Sequence, residues 1–468
     1  MATDQARREK NIYLFVNPRS GDKRGEELVK LGISQLHFKS VPDCIVHIHD
    51  LLDDADRCTG YKHIRELIHG RTDGDDEPIH VVVGGGDGTL RTVLEQLEGT
   101  DIPLDAILFT LIPFGTGNDL ARFLGSWHRL KSYVAAPLED SNLAQLILPA
   151  IRDPPALLDV WECRVSVQPE GGVEKFASGG HKLGRSQDNL VVKMVNNAAV
   201  GAQAYVGGDF EAHRGSSRVV NILWYVLETI KWGLCLRLPA VTQLVEGIEG
   251  KRGERSGSSE DSGQSSGERG ADEARKRARE ENVVVLAPSK KAAKAADPQP
   301  ESEGDLRLRK DAIELVVQNI PSLWGRMLDL WNLAASGSAL TAPDEIRKLE
   351  GQWPDDGRLE VFCLGTKLEY AAKEVSLGRR NLLRVGQFSE MRIKFRRAEK
   401  APNPPTSSGW LSRVLKRTRR TGTRADHRLE RMTTRLMIDG EFYKLVNPDA
   451  IEFKLWRRIR ITRPKEES

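Results

Sequence analysis

The first third of the chain alternates short apolar runs with segments of helical periodicity. Near-continuous apolar runs of strand length occur at residues 12–16, 79–83 and 106–112. Such runs are typical of strands buried on both faces, as in a parallel sheet flanked by helices. After the second run, apolar residues recur at i, i+3, i+4 and i+7 from Leu90, and Gly99 follows as a stop signal. The repeated order of strand, turn and helix predicts a three-layer α/β domain over residues 11–158.

From about Asp159 the pattern changes to shorter stretches in which apolar and polar residues alternate. They lie at 161–165, 189–195, 359–364, 391–395, 436–438 and 451–455. Alternation is typical of half-buried antiparallel strands, so we predict a second, mainly antiparallel β-sandwich domain over residues 159–462. A longer apolar segment at 219–244 is interrupted by Glu228, Lys231 and Arg237. These charges favour an amphipathic helix packed on this domain over a membrane helix.

Two segments interrupt the second domain. Residues 247–306 are rich in Gly, Ser, Glu, Lys and Arg, and their few aliphatic residues include a Val-Val-Val patch. Such a composition buries too little surface to offset the entropy of ordering, which predicts a disordered insertion. Residues 396–431 are strongly basic and include Trp410 and Leu411. This basic loop is either a solvated loop or a contact for an anionic membrane surface; it lacks the aromatic interleaving of nucleic-acid binders.

Charge and cysteine usage exclude several classes of protein. The 468 residues include 70 Lys and Arg against 67 Asp and Glu. The net charge therefore argues neither for nor against a polyanionic partner. Five scattered cysteines without a C-x-x-C pair argue against a disulfide scaffold and against a cysteine-ligated zinc module. The first ten residues are charged and lack the apolar core of a secretory signal. We therefore expect a cytoplasmic protein; the sequence predicts no particular oligomeric state.

Glycine-bearing turns follow all three apolar runs of the first domain. They are Asn-Pro-Arg-Ser-Gly at 17–21, Gly-Gly-Gly-Asp-Gly-Thr at 84–89 and Pro-Phe-Gly-Thr-Gly-Asn-Asp-Leu-Ala-Arg at 113–122. Ligands of open α/β sheets bind at the carboxyl ends of strands, and glycines let backbone N–H groups approach phosphate oxygens. Asp87 would suit Mg²⁺ or a ribose hydroxyl. The alternative is three ordinary turns that use these residue types for steric reasons.

The second and third of these turns resemble the catalytic domain of eukaryotic-type diacylglycerol kinases. The Gly-Gly-Asp-Gly-Thr element is shared with NAD, sphingosine and ceramide kinases, whereas the Asn118-Asp119 pair is similar to the diacylglycerol branch. Segments at 158–161, 194–202, 217–221, 356–361 and 438–441 resemble the accessory domain of the same family. The resemblance implies an ATP- and Mg²⁺-dependent enzyme that phosphorylates 1,2-diacylglycerol to phosphatidic acid.

The resemblance also implies residue roles. The nucleotide would be held by residues of the three turns, namely Asn17, Ser20, Gly21, Gly85, Gly86, Gly88, Thr89, Gly115, Thr116, Gly117, Asn118 and Asp119. Asp87 would orient the nucleotide or its metal, and Glu441 would act as the general base. Asp355 and Asp356 would hold a second, structural Mg²⁺.

Each acidic residue also has a purely structural alternative. Asp87 can simply form a turn, and Asn118 and Asp119 can be helix caps. The Asp-Gly before Glu441 is a strong hairpin signal, and the Asp-Asp-Gly that begins at Asp355 can be a plain turn.

One departure from the family pattern leaves other functions open. Gln203 stands where the family has an acid, which allows an inactive lipid-binding adaptor as an alternative. A ceramide or sphingoid-base kinase is the other alternative, and Asn118-Asp119 disfavours it. The intact Asp87, Asp119 and Glu441 argue against the adaptor. The expected partners are diacylglycerol and an anionic membrane surface, with peripheral membrane association and no nucleic acid.

Overall fold

The structure is a computed structural model. It describes residues 10–20, 24–38, 41–71, 77–115, 117–136, 140–176, 182–211, 213, 218–232, 236, 238–251, 282–286, 306–308, 311–323, 326–327, 331, 349–365, 382–397 and 433–465. In chain order, the elements up to residue 152 are β1 (Lys10–Val16), α1 (Arg24–Lys30), β2 (Gln35–Phe38), β3 (Val41–Asp50), α2 (Asp54–His69), β4 (Ile79–Gly85), α3 (Asp87–Glu98), a 3₁₀ turn (Leu104–Ala106), β5 (Ile107–Pro113), α4 (Asp119–Phe123), α5 (Ser126–Ala135), α6 (Asp140–Ile147) and α7 (Pro149–Arg152).

The remaining elements are mostly strands. They are β6 (Pro155–Phe176), β7 (Lys182–Gln187), β8 (Asn189–Met194), β9 (Asn197–Gly201), α8 (Ala202–Glu211), α9 (Arg218–Ile230), α10 (Val241–Leu244), β10 (Val245–Lys251), β11 (Asn282–Leu286), β12 (Leu306–Arg307), β13 (Glu314–Gln318), β14 (Ser322–Leu323), β15 (Arg326–Met327), β16 (Leu359–Leu364), β17 (Leu382–Phe388), β18 (Glu390–Phe395), β19 (Thr433–Ile438) and β20 (Glu441–Thr462).

The chain divides into two compact units. The first unit comprises Met1–Val160, Ser322–Met327 and Trp456–Ser468, and the second comprises Trp161–Pro321 and Leu328–Leu455. The late segments of the first unit lie far along the chain from its main body. A strict N-terminal and C-terminal division therefore does not describe the first unit.

The first unit contains a parallel sheet. Strand β1 pairs in parallel with β3 and β4, β4 pairs with β5, and the end of β20 pairs with β5, while β2 is antiparallel to β3. The three apolar runs correspond to β1, β4 and β5, so those predicted strands are confirmed. Their order places the carboxyl ends of β1, β4 and β5 side by side.

Helices cover both faces of this sheet. Successive residues of a strand point to opposite sides, so neighbouring residues of β1 contact different helices. On one face, Leu14 and Val16 of β1 belong to an apolar cluster with Leu28 of α1, Leu130 of α5 and Leu146 of α6. On the other face, the ring of Phe15 lies 4.7 Å from that of Tyr61 of α2. The apolar stripe of α3 that starts at Leu90 is also buried, as its periodicity predicted.

The strand pairings of the second unit are mainly antiparallel. Strand β9 pairs with β13 and β19, β13 with β16, β16 with β17, and β18 with both β10 and β20. The apolar positions that alternate along these strands form one buried cluster, which includes Trp161, Leu315, Phe388, Leu436 and Phe453. The indole N–H of Trp161 is satisfied inside this core, since it donates to Asn319 Oδ1 at 2.9 Å.

The structure differs from the prediction for residues 247–306. Strand β10 extends to Lys251, and β11 contains the Val-Val-Val patch and pairs antiparallel with it. The ladder pairing with β10 supplies stabilisation that composition alone did not indicate. Residues 252–281 and 287–305, and the basic loop beyond Arg397, lie outside the described residues.

The apolar segment at 219–244 does not form one long helix. It contains α9 and, after residues outside the described part, the short α10. None of the helices in the described ranges has the length and apolar character that a bilayer crossing demands.

Histidine and tyrosine rings stack on one face of the parallel sheet. The ring of His47 on β3 stacks on Tyr13 with centroids 4.9 Å apart. The ring of His63 of α2 lies edge-on to the His47 ring, with centroids 6.2 Å apart. Burial, together with the charges that His49, His63 and His37 would carry, lowers the pKa of His47. The folded protein therefore holds His47 neutral where the unfolded chain would be protonated.

We predict that this cluster makes the first unit sensitive to acid. A lowered folded-state pKa leaves stability intact above the unfolded value of about 6.5 and reduces it progressively as the pH falls below that value. Urea-unfolding midpoints should fall between about pH 7 and about pH 5, and less so in His47→Gln. The control is His69→Gln, at an exposed position in the last turn of α2. Equal pH dependence in His47→Gln and the wild type would contradict the prediction.

Candidate functional site

The second glycine turn leads from β4 directly into α3. Gly86 is the N-cap residue of α3, its backbone is extended, and no side chain caps the helix from this position. The N-terminus of a helix carries about half a positive charge and directs N–H groups outward. An N-terminus that starts at a glycine, at the carboxyl end of a strand, is suited to an anionic group such as phosphate.

The second and third turns contact each other through their glycines. A Cβ on Gly115 would lie 2.5 Å from Cα of Gly86, and one on Gly85 would lie 2.2 Å from Thr89 Oγ1. The backbone N–H of Gly115 donates to the carbonyl of Gly85 at 3.3 Å. A Cβ on Gly88, in contrast, would meet no atom within 4 Å. Packing therefore explains Gly85 and Gly115, whereas Gly88 borders open space.

The first turn joins the same group of residues. The N–H of Asn17 donates to the carbonyl of Gly84 at 2.9 Å, and its side-chain amide donates to Thr89 Oγ1 at 3.3 Å. The hydroxyls of Ser20 and Thr89 are 3.5 Å apart. The structure thus brings Asn17, Ser20 and Thr89 together; Gly21 and Thr116 lie outside the described residues.

Asp87 connects the second turn to the third. Its carboxylate accepts the backbone N–H of Asp119 at 2.9 Å and that of Leu120 at 3.4 Å, which are the first two residues of α4. Asp87 therefore satisfies the N-terminus of a neighbouring helix. This function differs from that of a simple turn former, because the bonds link residues 32 and 33 positions apart.

Asn118 is engaged within the third turn. It is 2% exposed and adopts a left-handed backbone conformation (φ 52°), which asparagine tolerates better than most residues. Its side-chain amide donates to the carbonyls of Pro113, at 3.2 Å, and Gly115, at 2.5 Å. The side chain does not cap α4, although the residue occupies the N-cap position. The turn itself is what these hydrogen bonds stabilise.

Asp119 accepts a hydrogen bond that the sequence analysis missed. The hydroxyl of Ser322 donates to Asp119 Oδ1 at 2.8 Å, and Ser322 is fully buried. Ser322 lies on β14, which pairs with β15 and belongs to the first unit despite its distance along the chain. The one sequence signal is Pro321, which marks a turn after a buried strand but does not indicate where that turn packs.

Glu441 lies in the second unit, directly after a tight hairpin. Asp439 and Gly440 both have positive φ angles, 47° and 79°, as a type I′ turn requires. The Asp439 carboxylate accepts the backbone N–H groups of Val195, Asn196 and Asn197 at 2.7–3.0 Å. The hairpin expected as the structural alternative is therefore present.

The Glu441 carboxylate itself is partly exposed and contacts two polar side chains. One oxygen lies 2.8 Å from Lys175 Nζ, and the other accepts the hydroxyl of Tyr443 at 2.8 Å. The side chain is 27% exposed, so solvent or a ligand can reach it. The hairpin and a chemical role for Glu441 are thus compatible.

Asp355 and Asp356 precede β16 in the second unit. Asp356 Oδ1 accepts the N–H of Arg358 at 3.0 Å across Gly357, whose φ is 74°, which is a local turn. Burial raises the pKa of the nearby Glu360 well above its usual value, and the Asp356 charge adds to the shift. Within the part of the chain that the structure describes, no three His, Cys, Asp or Glu side chains are grouped so as to hold a metal ion.

Three glycine turns that meet at the carboxyl edge of a parallel sheet are typical of α/β proteins that bind phosphate groups. Comparison with known families narrows this class. Residues 11–142 match the diacylglycerol kinase catalytic domain, and residues 193–403 match the diacylglycerol kinase accessory domain. Together the two matches cover more than half of the chain. The chain belongs to the eukaryotic-type diacylglycerol kinase family.

Similar curated proteins carry the same family name. The eye-specific diacylglycerol kinase of Drosophila melanogaster is 29% identical over 226 residues, which is 46% of this chain and 13% of the relative. Diacylglycerol kinase zeta of Rattus norvegicus is 28% identical over 232 residues, 46% of this chain and 21% of the relative. Diacylglycerol kinase iota of Mus musculus is 24% identical over 225 residues, which is 46% of this chain and 18% of the relative. The chain thus spans less than a quarter of the length of these relatives.

Proposed function

We propose that this chain is an ATP-dependent lipid kinase that transfers the γ-phosphoryl group of ATP to 1,2-diacylglycerol, forming phosphatidic acid. Family membership supports the reaction, and the observation that carries the proposal is the group of three turns around Gly86. Phosphoryl transfer is catalysed mainly by positioning and by electrostatic stabilisation. Backbone contacts hold the turns together, which supports a role in positioning the phosphates.

The turns fit a nucleotide triphosphate. Backbone N–H groups near Ser20, Gly86 and Gly117 would hold the phosphates, and the open space beside Gly88 would admit them. Asp87 and Asp119 are the carboxylates of the second and third turns, and they would help to hold a bound Mg²⁺. Mg²⁺ supplies neutralisation of the phosphate charge during transfer. Asp355 and Asp356 are proposed to hold a second Mg²⁺ with a structural role.

Glu441 is proposed as the general base. It would take the proton from the primary hydroxyl of diacylglycerol as the oxygen attacks the phosphorus in line. Lys175 Nζ lies 2.8 Å from one oxygen of this carboxylate, so a positive charge stands beside the proposed base.

The partner surface is proposed to be an anionic membrane, because the acceptor lipid lies in a bilayer. Each Lys or Arg near an anionic leaflet contributes about 1 kcal/mol, and the basic loop at 396–431 contains many such residues. The protein would then act in the cytoplasm, peripherally associated with the membrane.

The proposed reaction is tested with radiolabelled ATP and separate mixed micelles of diacylglycerol, ceramide and sphingosine, with NAD as a soluble acceptor. We expect label in phosphatidic acid alone. Labelled ceramide phosphate or sphingosine phosphate without phosphatidic acid would support the other lipid-kinase branch. Absence of transfer to every acceptor, with diacylglycerol micelles still bound, would support the inactive adaptor.

Replacing Glu441 tests the base. Glu441→Gln preserves shape and the Tyr443 contact but cannot accept the proton, so turnover should fall by about 10²–10⁴-fold with little change in the KM for ATP. Glu174→Gln is the matched control, because Glu174 is also partly exposed and pairs with Lys444 at 3.4 Å. Turnover in Glu441→Gln equal to that of the control would remove Glu441 from the mechanism.

Ser322 is expected to position Asp119. Ser322→Ala removes the hydroxyl from a charged acceptor, so the KM for ATP should rise and turnover should fall, each on the order of tenfold. In a double-mutant cycle with Asp119→Ala, Ser322→Ala should add little further loss, because the shared bond is already gone. Ser126→Ala is the control, since the Ser126 hydroxyl donates to the α4 carbonyl of Ala121. Fully additive losses would show that Ser322 acts independently of Asp119.

A further inference from the structure

Helix α9 of the second unit presents a row of aliphatic side chains to solvent. Their exposed fractions range from 45% to 59%, and the residues are Val220, Leu223, Val226, Leu227 and Ile230. At 100° per residue these positions lie within a stripe about 120° wide. We call this set the outer face of α9.

The opposite side of α9 carries one acidic residue that is buried and two aromatic residues that are partly buried. Glu228 is the one acidic residue of the helix and is only 4% exposed. The ring of Trp224 stacks on His213 at 4.5 Å, and Tyr225 meets the ring of Phe210 at 5.7 Å. A surface helix normally buries its apolar stripe and exposes its charges. In α9 this polarity is reversed.

Ion pairs hold α9 in this orientation. Lys231 Nζ lies 2.7 Å from Glu228 and 2.9 Å from Asp209 of α8. Asp209 also accepts hydrogen bonds from Arg435 at 2.7 Å and from the indole N–H of Trp232 at 3.0 Å. Rotating the helix to bury its outer face would separate Lys231 and Trp232 from the Asp209 carboxylate. The exposure of the outer face is therefore built into the fold.

We infer that the outer face of α9 inserts into the surface of an anionic lipid bilayer. Residues 213–237 contain four Lys and Arg and one acid, Glu228, which is buried and paired with one of the four, Lys231. An aliphatic stripe flanked by basic residues is the pattern of interfacial helices, which lie in the plane of the headgroups. The inference rests on the proposed function, since it requires that the acceptor is a membrane lipid.

The composition of the outer face favours a bilayer over a second protein surface. All five exposed side chains are aliphatic, whereas the centres of protein interfaces are enriched in aromatic residues, Met and Arg. The basic charge that flanks the stripe would also repel the same face of a second copy of the chain. Anionic headgroups are attracted by it.

The test compares Leu223→Glu with the wild-type full chain in co-sedimentation with phosphatidylcholine vesicles containing phosphatidylserine. Leu223 is the most exposed residue of the stripe, and Glu is a good helix former, so the fold should be retained. We expect vesicle partitioning to fall on the order of tenfold. The matched control is Leu67→Glu, at a leucine of α2 that is 40% exposed, and it should partition as the wild type does.

Phosphorylation of a short-chain diacylglycerol dissolved below its micelle concentration separates the inference from the proposed function. Leu223→Glu should match the wild type on this substrate. Unchanged vesicle partitioning of Leu223→Glu would overturn the inference, as would a wild-type dimer that becomes monomeric in this variant without vesicles. If wild type phosphorylates no diacylglycerol in any form, the proposed function fails, while vesicle partitioning still decides whether α9 binds membranes.

Discussion

The hydrogen bonds from the first N–H groups of α4 to the Asp87 carboxylate are the interactions on which the candidate site depends. They connect two turns that the chain forms independently, after β4 and after β5. Hydrogen bonds to a charged group contribute about 1.5–3 kcal/mol each, enough to hold both turns in one arrangement. In this arrangement Gly86 and Gly115 lie in close contact. The contact requires glycine at position 115, because a Cβ there would force the two turns apart.

The polar residues of the connected turns have different roles. Asp87 and Asn118 direct their side chains to backbone groups, and so they define the shape of the site. Asp119 contributes its N–H to Asp87 while its carboxylate accepts the buried Ser322 hydroxyl. Gly88, next to Asp87, borders open space. A preorganised backbone of this kind is what electrostatic catalysis of phosphoryl transfer requires.

Strands buried on both faces could be predicted because their residues are almost all apolar, as in β1, β4 and β5. Strand β3 could not, since its stacked His47 and His49 interrupt the apolar pattern. The turns were identified from glycine placed after strands, but the partner of Asp87 was not, because side-chain contacts over 32 residues leave no periodic signal. Ser322 was missed for the same reason at a still greater separation.

Helix α9 illustrates the limit of periodicity in another way. Its pattern indicates an amphipathic helix, but a pattern does not state which side faces the protein. The side was decided by Lys231, which pairs with both Glu228 and Asp209 of α8. Asp209 in turn pairs with Arg435 on β19. A buried carboxylate is stable only when it is paired in this way. The network therefore turns the charged side of α9 inward, and the aliphatic side is left outward as a direct consequence.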